Sequence, residues 1–174
     1  MRVPENPPRV STIKTFPAAG PWKSKSGGNL SVLCKLPIDV MNDCFFNYNP
    51  SDLAEVPGDL RGFRTYTVRG MPKGGVGGTE FHVIRQEIVL GLEGSCLWTC
   101  EDLYGEKREF VVNPSAGIWV PPYTMHTVNV LEENTGFLII ANTLFNPDDQ
   151  LTHDSYPREV FEDLKVLIAR IPRT

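Results

Sequence analysis

The chain has 174 residues, 41% of them apolar and 22% charged, enough to bury the core of one soluble domain and too ordered a composition for bulk disorder. Its 17 Lys and Arg face 21 Asp and Glu, a formal net charge of -4 with no basic block, which speaks against nucleic acid as a partner. No apolar run approaches the ~18 residues of a membrane span, and the opening MRVPENPPRV lacks the apolar stretch of a secretory signal. Cys34, Cys44, Cys96 and Cys100 are scattered over apolar segments and read as reduced thiols of a cytoplasmic protein, not as a disulfide framework.

Residues 1–30 carry Pro4, Pro7, Pro8, Pro17 and Pro21 together with Gly20, Gly27 and Gly28. That density predicts an irregular arm, either lying over the body or a partner subunit or left as a mobile tail. Residues 31–174 read as one domain. Its strand candidates are Leu30–Leu36, Cys44–Tyr48, Gly62–Arg69, Thr79–Ile84, Ile88–Leu92, Cys96–Cys100, Lys107–Val112, Gly117–Val120, His126–Val130 and Gly136–Asn142. They are rich in Val, Ile, Phe, Tyr and Thr, with Gly, Pro, Asn and Asp at the breaks. Helical periodicity is missing between them, so the expectation is all-β: a sandwich, jelly roll or barrel. From Pro157 to Ile171 apolar residues recur at spacings of three and four, with Glu159, Glu162 and Asp163 early, Arg170 late and Pro172 as a stop. This predicts one C-terminal helix over about 157–171.

Only His82, His126 and His153 are available for imidazole chemistry. Glu80 and His82 are two apart, so on one strand both side chains leave on the same face. Such a pair can work as acid and base or as two metal ligands; on a solvated face it means nothing. Farther on, Pro121 and Pro122 fix a turn before His126 opens the next strand. His153, in the polar Leu151–Asp154, reads as a solvated loop residue. Trp22, Trp98 and Trp119 read as packing, Trp119 with the option of facing a barrel mouth. Cys96 and Cys100 share a strand face and read as buried thiols.

The segment Glu80-x-His82, four residues, Glu87, six residues, Gly94, followed by Pro121, four residues and His126, resembles the two-motif signature of cupins. The resemblance implies a double-stranded β-helix, a jelly roll, with these residues converging inside it. Glu87 lies an odd number of residues from His82, so it converges only if the chain turns near Arg85-Gln86, as the family's does. Over about residues 60–165 the chain is similar to a narrower group, the WxcM-like sugar-nucleotide 3,4-ketoisomerases. The similarity rests on Gly77 to His82, Leu92-Glu93-Gly94-Ser95, Pro114 to His126, and the tail from Leu138 through Phe145–Asp149 to Tyr156–Phe161. Four positions depart from the family pattern. Glu80 stands for the first of two histidines, Gly77 or Gly78 for an arginine, Glu87 for a glutamine and Met125 for a tryptophan.

The resemblance implies an acid/base isomerisation of a nucleotide-linked keto-deoxysugar through an enediol, with no cofactor and no metal, in a homodimer. Glu80 or His82 is then the base, the other carries the proton, and Tyr66 donates a hydroxyl. Arg64, Arg69 and Arg85, with Lys73 and the Gly74–Gly78 run, are candidates to meet the diphosphate. Glu87, Trp119, Tyr123 and His126 complete the candidate substrate site. Two alternatives stand beside this reading. Glu80, His82, Glu87 and His126 offer two nitrogens and two carboxylates, the donor set of a metal-dependent cupin oxygenase, isomerase or lyase. Loss of one family histidine suits a cupin that binds a sugar without turning it over.

Overall fold

Side chains that alternate between water and interior dictate the strands, and a computed structural model, which describes residues 4–42, 61–149 and 153–170, shows how they pair. After a 3-10 turn at Val10–Thr12 come β1 (Thr15–Pro17), β2 (Ala19–Lys23), β3 (Asn29–Val32) and the short helix α1 (Ile38–Met41). The body follows: β4 (Arg61–Met71), β5 (Val76–Phe81), β6 (Glu87–Glu93), β7 (Cys96–Glu101), β8 (Lys107–Val112), β9 (Ala116–Val120), β10 (Met125–Val130) and β11 (Thr135–Thr143). A two-residue β12 (Tyr156–Pro157) leads into α2 (Arg158–Ala169). Two antiparallel five-stranded sheets result, ordered β1-β9-β6-β11-β4 and β12-β5-β10-β7-β8, with β2 and β3 as a separate pair. This is the expected all-β cupin jelly roll with one C-terminal helix. The expected strand Cys44–Tyr48, with Cys44, lies outside the described residues, as do Ile171 and Pro172.

The main core fills the space between the sheets. Val89, Ile118, Val120, Phe137, Ile139 and Ala141 point in from the first sheet, and Cys96, Trp98, Cys100, Phe110, Val112 and Val128 from the second. On the outer face of the first sheet, Phe16, Ile88 and Leu90 are covered by Leu33, Leu36, Val40 and Trp119. Buried on both faces, β6 therefore reads as a continuous apolar run and not as an alternation. On the outer face of the second sheet, Phe161, Leu164 and Ile168 of α2 pack on Phe81, Leu103 and Met125. Each such side chain contributes about 1.5–3 kcal/mol of transfer free energy. Glu101 fastens the helix further, with Lys165 Nζ at 2.7 Å, Arg158 Nη1 at 3.0 Å and Lys107 Nζ at 3.4 Å. Pro157, at the N-cap, sets the entry.

The described part of the proline-rich N-terminal arm lies over the body, the first of the two expected arrangements. Val10 and Ile13 are buried in the main core, and β1 adds an edge strand to β9. Proline is tolerated there because Pro17 ends β1 at the sheet edge and Pro21 sits in a two-strand ribbon. The buried Asp102 carboxylate anchors the stretch, accepting the Val10 N–H at 3.1 Å as well as those of Tyr104 and Glu106 in the β7–β8 turn. The Gly74–Gly78 run makes the crossing between sheets, and its first two N–H groups are taken up by the turn itself. The Gly74 N–H donates to the Val130 carbonyl at 2.9 Å and that of Gly75 to the Pro72 carbonyl at 3.0 Å. No described helix is long and apolar enough to cross a membrane.

Candidate active site

The apolar packing between the sheets gives way to a polar chamber at Trp98, whose indole stacks on the His126 ring at 5.5 Å between centroids. Strand parity chooses what lines it. In β4, Gly62, Arg64, Tyr66 and Val68 are half-buried while their neighbours face water, so Arg64 and Tyr66 look inward. In β10, His126 shares the inward face with Val128 and Val130. Glu80 pairs with His126 across β5 and β10. Gly78, at φ 72°, and Thr79, at φ 52°, make the irregularity that keeps Glu80 on this face.

The predicted strand Thr79–Ile84 stops at Phe81. Beyond it the backbone N–H groups of Val83, Ile84 and Arg85 converge on the Asp154 carboxylate at 3.0, 2.9 and 2.6 Å. This is the turn that the motif spacing required. It lets β6 begin with Glu87 on the interior face it shares with Val89, while Ile88 and Leu90 go outward.

His82 is buried and held at its carbonyl and at its ring. Its carbonyl accepts the Tyr123 N–H at 2.6 Å, and its Nδ1 lies 2.7 Å from the Asp154 carbonyl oxygen. A carbonyl only accepts, so Nδ1 carries the proton and Nε2 keeps a lone pair. That Nε2 lies 3.8 Å from Glu87 Oε1, and the ring faces His126 at 5.1 Å between centroids. Arg85 Nη2 rests against the ring, 2.7 Å from Nδ1 and 2.9 Å from Nε2. One N–H cannot align with both nitrogens; with Nδ1 protonated, Nε2 is the nitrogen that accepts from Arg85, and the guanidinium adds its charge beside the ring. Burial, then the Arg85 charge and His126, push the His82 pKa well below the usual imidazole range, with the Asp154 carbonyl opposing. A neutral imidazole results.

Across the chamber Tyr66 Oη donates to Glu87 Oε1 at 3.0 Å, and Arg85 Nε lies 3.4 Å from the same oxygen. Burial first, and the Glu87 carboxylate second, raise the Tyr66 pKa, so the phenol keeps its proton. Arg64 stands over the Tyr66 ring at 5.2 Å, its pKa lowered by burial and by Arg85. His126 Nδ1 lies 3.1 Å from the Thr124 carbonyl, and Ser155 Oγ hydrogen-bonds Glu80 Oε2.

Glu80, His82 and His126 bring ligand atoms to within 4.8 Å of one another. The expected four-donor metal set is not assembled, however. Glu87 is engaged by Tyr66 and Arg85, and a cation on His82 would lie beside the Arg85 guanidinium. What remains is a three-donor group of Glu80, His82 and His126, with the Arg85 guanidinium beside one of its ligands.

The fold thus gathers Arg64, Tyr66, Glu80, His82, Arg85, Glu87 and His126. Three other candidates lie elsewhere. Arg69 is on the solvent face of β4, paired with Glu93 at 3.3 Å, because it has the parity opposite to Arg64 and Tyr66... an odd step from each. Trp119 points to the outer face of the first sheet, its Nε1 donating to Gln86 Oε1 at 3.0 Å. The Tyr123 ring packs toward Phe81 at 6.5 Å in the layer under α2. His153 stacks on Phe145 at 4.5 Å, half-buried. Asp154, Trp98 and Ser155 were not legible as site residues. Asp154 sits in a stretch that reads as a polar loop, and no spacing ties it to a turn about seventy positions away.

The family model "WxcM-like, C-terminal" (FdtA) matches residues 52–159, more than half of the chain. No curated protein matches at a significant level. Among solved structures, QdtA, a sugar 3,4-ketoisomerase from Thermoanaerobacterium thermosaccharolyticum in complex with TDP, is similar at 15% identity and a TM-score of 0.61. The alignment covers 92% of this chain and 98% of that one. A 3,4-ketoisomerase from Helicobacter canadensis is similar at 14% identity, TM-score 0.58, covering 89% and 98%. WlaRB, a TDP-quinovose 3,4-ketoisomerase from Campylobacter jejuni, is similar at 14% identity, TM-score 0.58, covering 87% and 98%. At such identities these likenesses establish the shared fold, and with the match of the family model they lead to one statement: the chain belongs to the WxcM-like, C-terminal (FdtA) family.

Proposed function

We propose that the protein is a 3,4-ketoisomerase acting on a nucleotide-linked keto-deoxysugar. The observation that carries this reading is His82: a buried, neutral imidazole with Nδ1 committed to a carbonyl and the Nε2 lone pair beside Arg85, facing a second imidazole and a carboxylate. In the reaction the C3–H bond breaks and its proton goes to His82 Nε2, while the C4 ketone oxygen takes up a proton and an enediol forms. The proton then returns at C4, the C3 hydroxyl gives up its own, and the C3 ketone appears. Tyr66, kept protonated, supplies hydroxyl character beside the developing oxyanion. Glu80 carries protons between the two sugar oxygens. Arg64 and Arg85 supply positive charge for the developing oxyanion and the diphosphate. Family membership and three free cysteines among the described residues support a cytoplasmic homodimer.

The test is incubation with TDP-4-keto-6-deoxyglucose in heavy water. Solvent deuterium should enter the sugar at the reacting carbons, and Glu80→Gln should slow this at least ~100-fold. An unchanged rate in that variant removes Glu80 from the reaction, and no exchange in the wild type overturns the isomerase. A second reading, a divalent metal on Glu80, His82 and His126, draws on their mutual proximity. Near-stoichiometric metal in protein purified without chelators, lost in His82→Ala and His126→Ala, would favour it over the first.

A further inference from the structure

We propose that Asp154 is the positioning residue for His82, setting which ring nitrogen carries the proton and aiming the other into the chamber. The proposal rests on His82 being the base. One residue grips four consecutive positions. Its carbonyl takes Nδ1 of His82, and its carboxylate takes the N–H groups of Val83, Ile84 and Arg85. Both oxygens reach the same side because Asp154 adopts φ 46°, a left-handed conformation that aspartate tolerates better than most residues. Alanine at that φ would be strained. Glycine tolerates the same φ but loses the carboxylate fan that holds the carbonyl against the His82 ring. Asparagine also tolerates this φ, but it keeps one acceptor oxygen only, and its Nδ2 cannot accept the N–H groups that the second carboxylate oxygen takes.

The geometry goes beyond holding a turn. With the Tyr123 N–H fixing the His82 carbonyl, the ring's remaining freedom is rotation about its own bonds. The Asp154 carbonyl removes that freedom and at the same time excludes the tautomer protonated on Nε2, the form with no lone pair on the chamber side. The same fan places Arg85, whose guanidinium flanks the ring and Glu87. Second-sphere groups that orient an imidazole in this way are typically worth ~10–100-fold in function.

The experiment compares wild type, Asp154→Gly and Asp154→Asn. Three histidines make imidazole nitrogen-15 spectra easy to assign. Wild-type His82 should be the Nδ1–H tautomer. In Asp154→Gly it should become a tautomer mixture, with kcat on TDP-4-keto-6-deoxyglucose falling ~10–100-fold and KM nearly unchanged. Asp154→Asn, which restores one of the two acceptor oxygens, should lose no more turnover than Asp154→Gly. An unchanged His82 spectrum in Asp154→Gly overturns the proposal. Should Asp154→Gly not fold, the wild-type spectrum decides, since an Nε2–H tautomer contradicts the assignment and Nδ1–H supports it. The tautomer readout needs no substrate. An inactive wild type with the expected spectra would therefore overturn the isomerase reading and leave the positioning role of Asp154 standing.

Discussion

Replacing His82 with Asn should make the protein less sensitive to acid. The side chain is 2% exposed, and burial beside Arg85 holds its pKa well below 6.5. In the unfolded chain the same imidazole titrates near its ordinary value of about 6.5. The unfolded state therefore binds a proton that the folded state refuses, and stability falls as pH drops below about 6.5. With folded His82 unprotonated throughout, the loss between pH 7 and pH 5 comes to about 2 kcal/mol, a limiting slope of about 1.4 kcal/mol per pH unit. Asn is a fair substitute, since its Nδ2 can donate to the Asp154 carbonyl as Nδ1 does. Urea unfolding of both proteins at pH 7 and pH 5 gives the double difference, in which groups common to the two chains cancel. The variant should lose about 2 kcal/mol less than the wild type over that interval. Equal losses would mean that folded His82 accepts a proton as readily as the unfolded chain does, and the neutral base would fall with that result.

Two further outcomes test the frame around the site. A Cβ at Gly91 would lie 2.2 Å from the Asn113 backbone, whereas one at Gly74 would meet nothing within 4 Å. Gly91→Ala should destabilise the fold by more than ~3 kcal/mol and Gly74→Ala by less, despite its φ of 80°; comparable melting temperatures for the two would refute the tight approach. Glu101→Gln removes a buried charge from Lys165, Arg158 and Lys107. Because Arg158 and Lys107 can turn to water, the cost should be about 1–3 kcal/mol, read as a lower melting temperature and earlier proteolysis at α2.

Where a residue's role follows from strand parity, the sequence was sufficient. Lys107–Val112 is the observed strand, and the alternation through β4 placed Arg64 and Tyr66 on one face. The pairing of Glu80 with His82 and the arrival of His126 after Pro121-Pro122 followed from motif spacing. Parity likewise turns Trp119 and Arg69 away from the chamber: Trp119 alternates with the inward Ile118 and Val120. What spacing cannot carry is a contact made by a loop. Asp154 and Trp98 act through tertiary geometry, the one on a turn in another part of the chain and the other on a ring in the next strand. The N-terminal order was hidden for a similar reason, since a proline-rich stretch gains its structure from Asp102 and β9, not from its own preferences.

The grip of Asp154 on His82 spans 72 positions. Contacts of such reach form late, after the chain has given up the entropy of closing large loops. A growing polypeptide that ends before residue 154 can have both sheets' main strands and still lack the contact that orients the His82 ring. The setting of the His82 ring therefore waits for the segment after β11 and comes together with the docking of α2. The same long reach makes the site a sensitive reporter of global unfolding: proton-transfer activity should disappear with, or before, the loss of β-structure, and never after it.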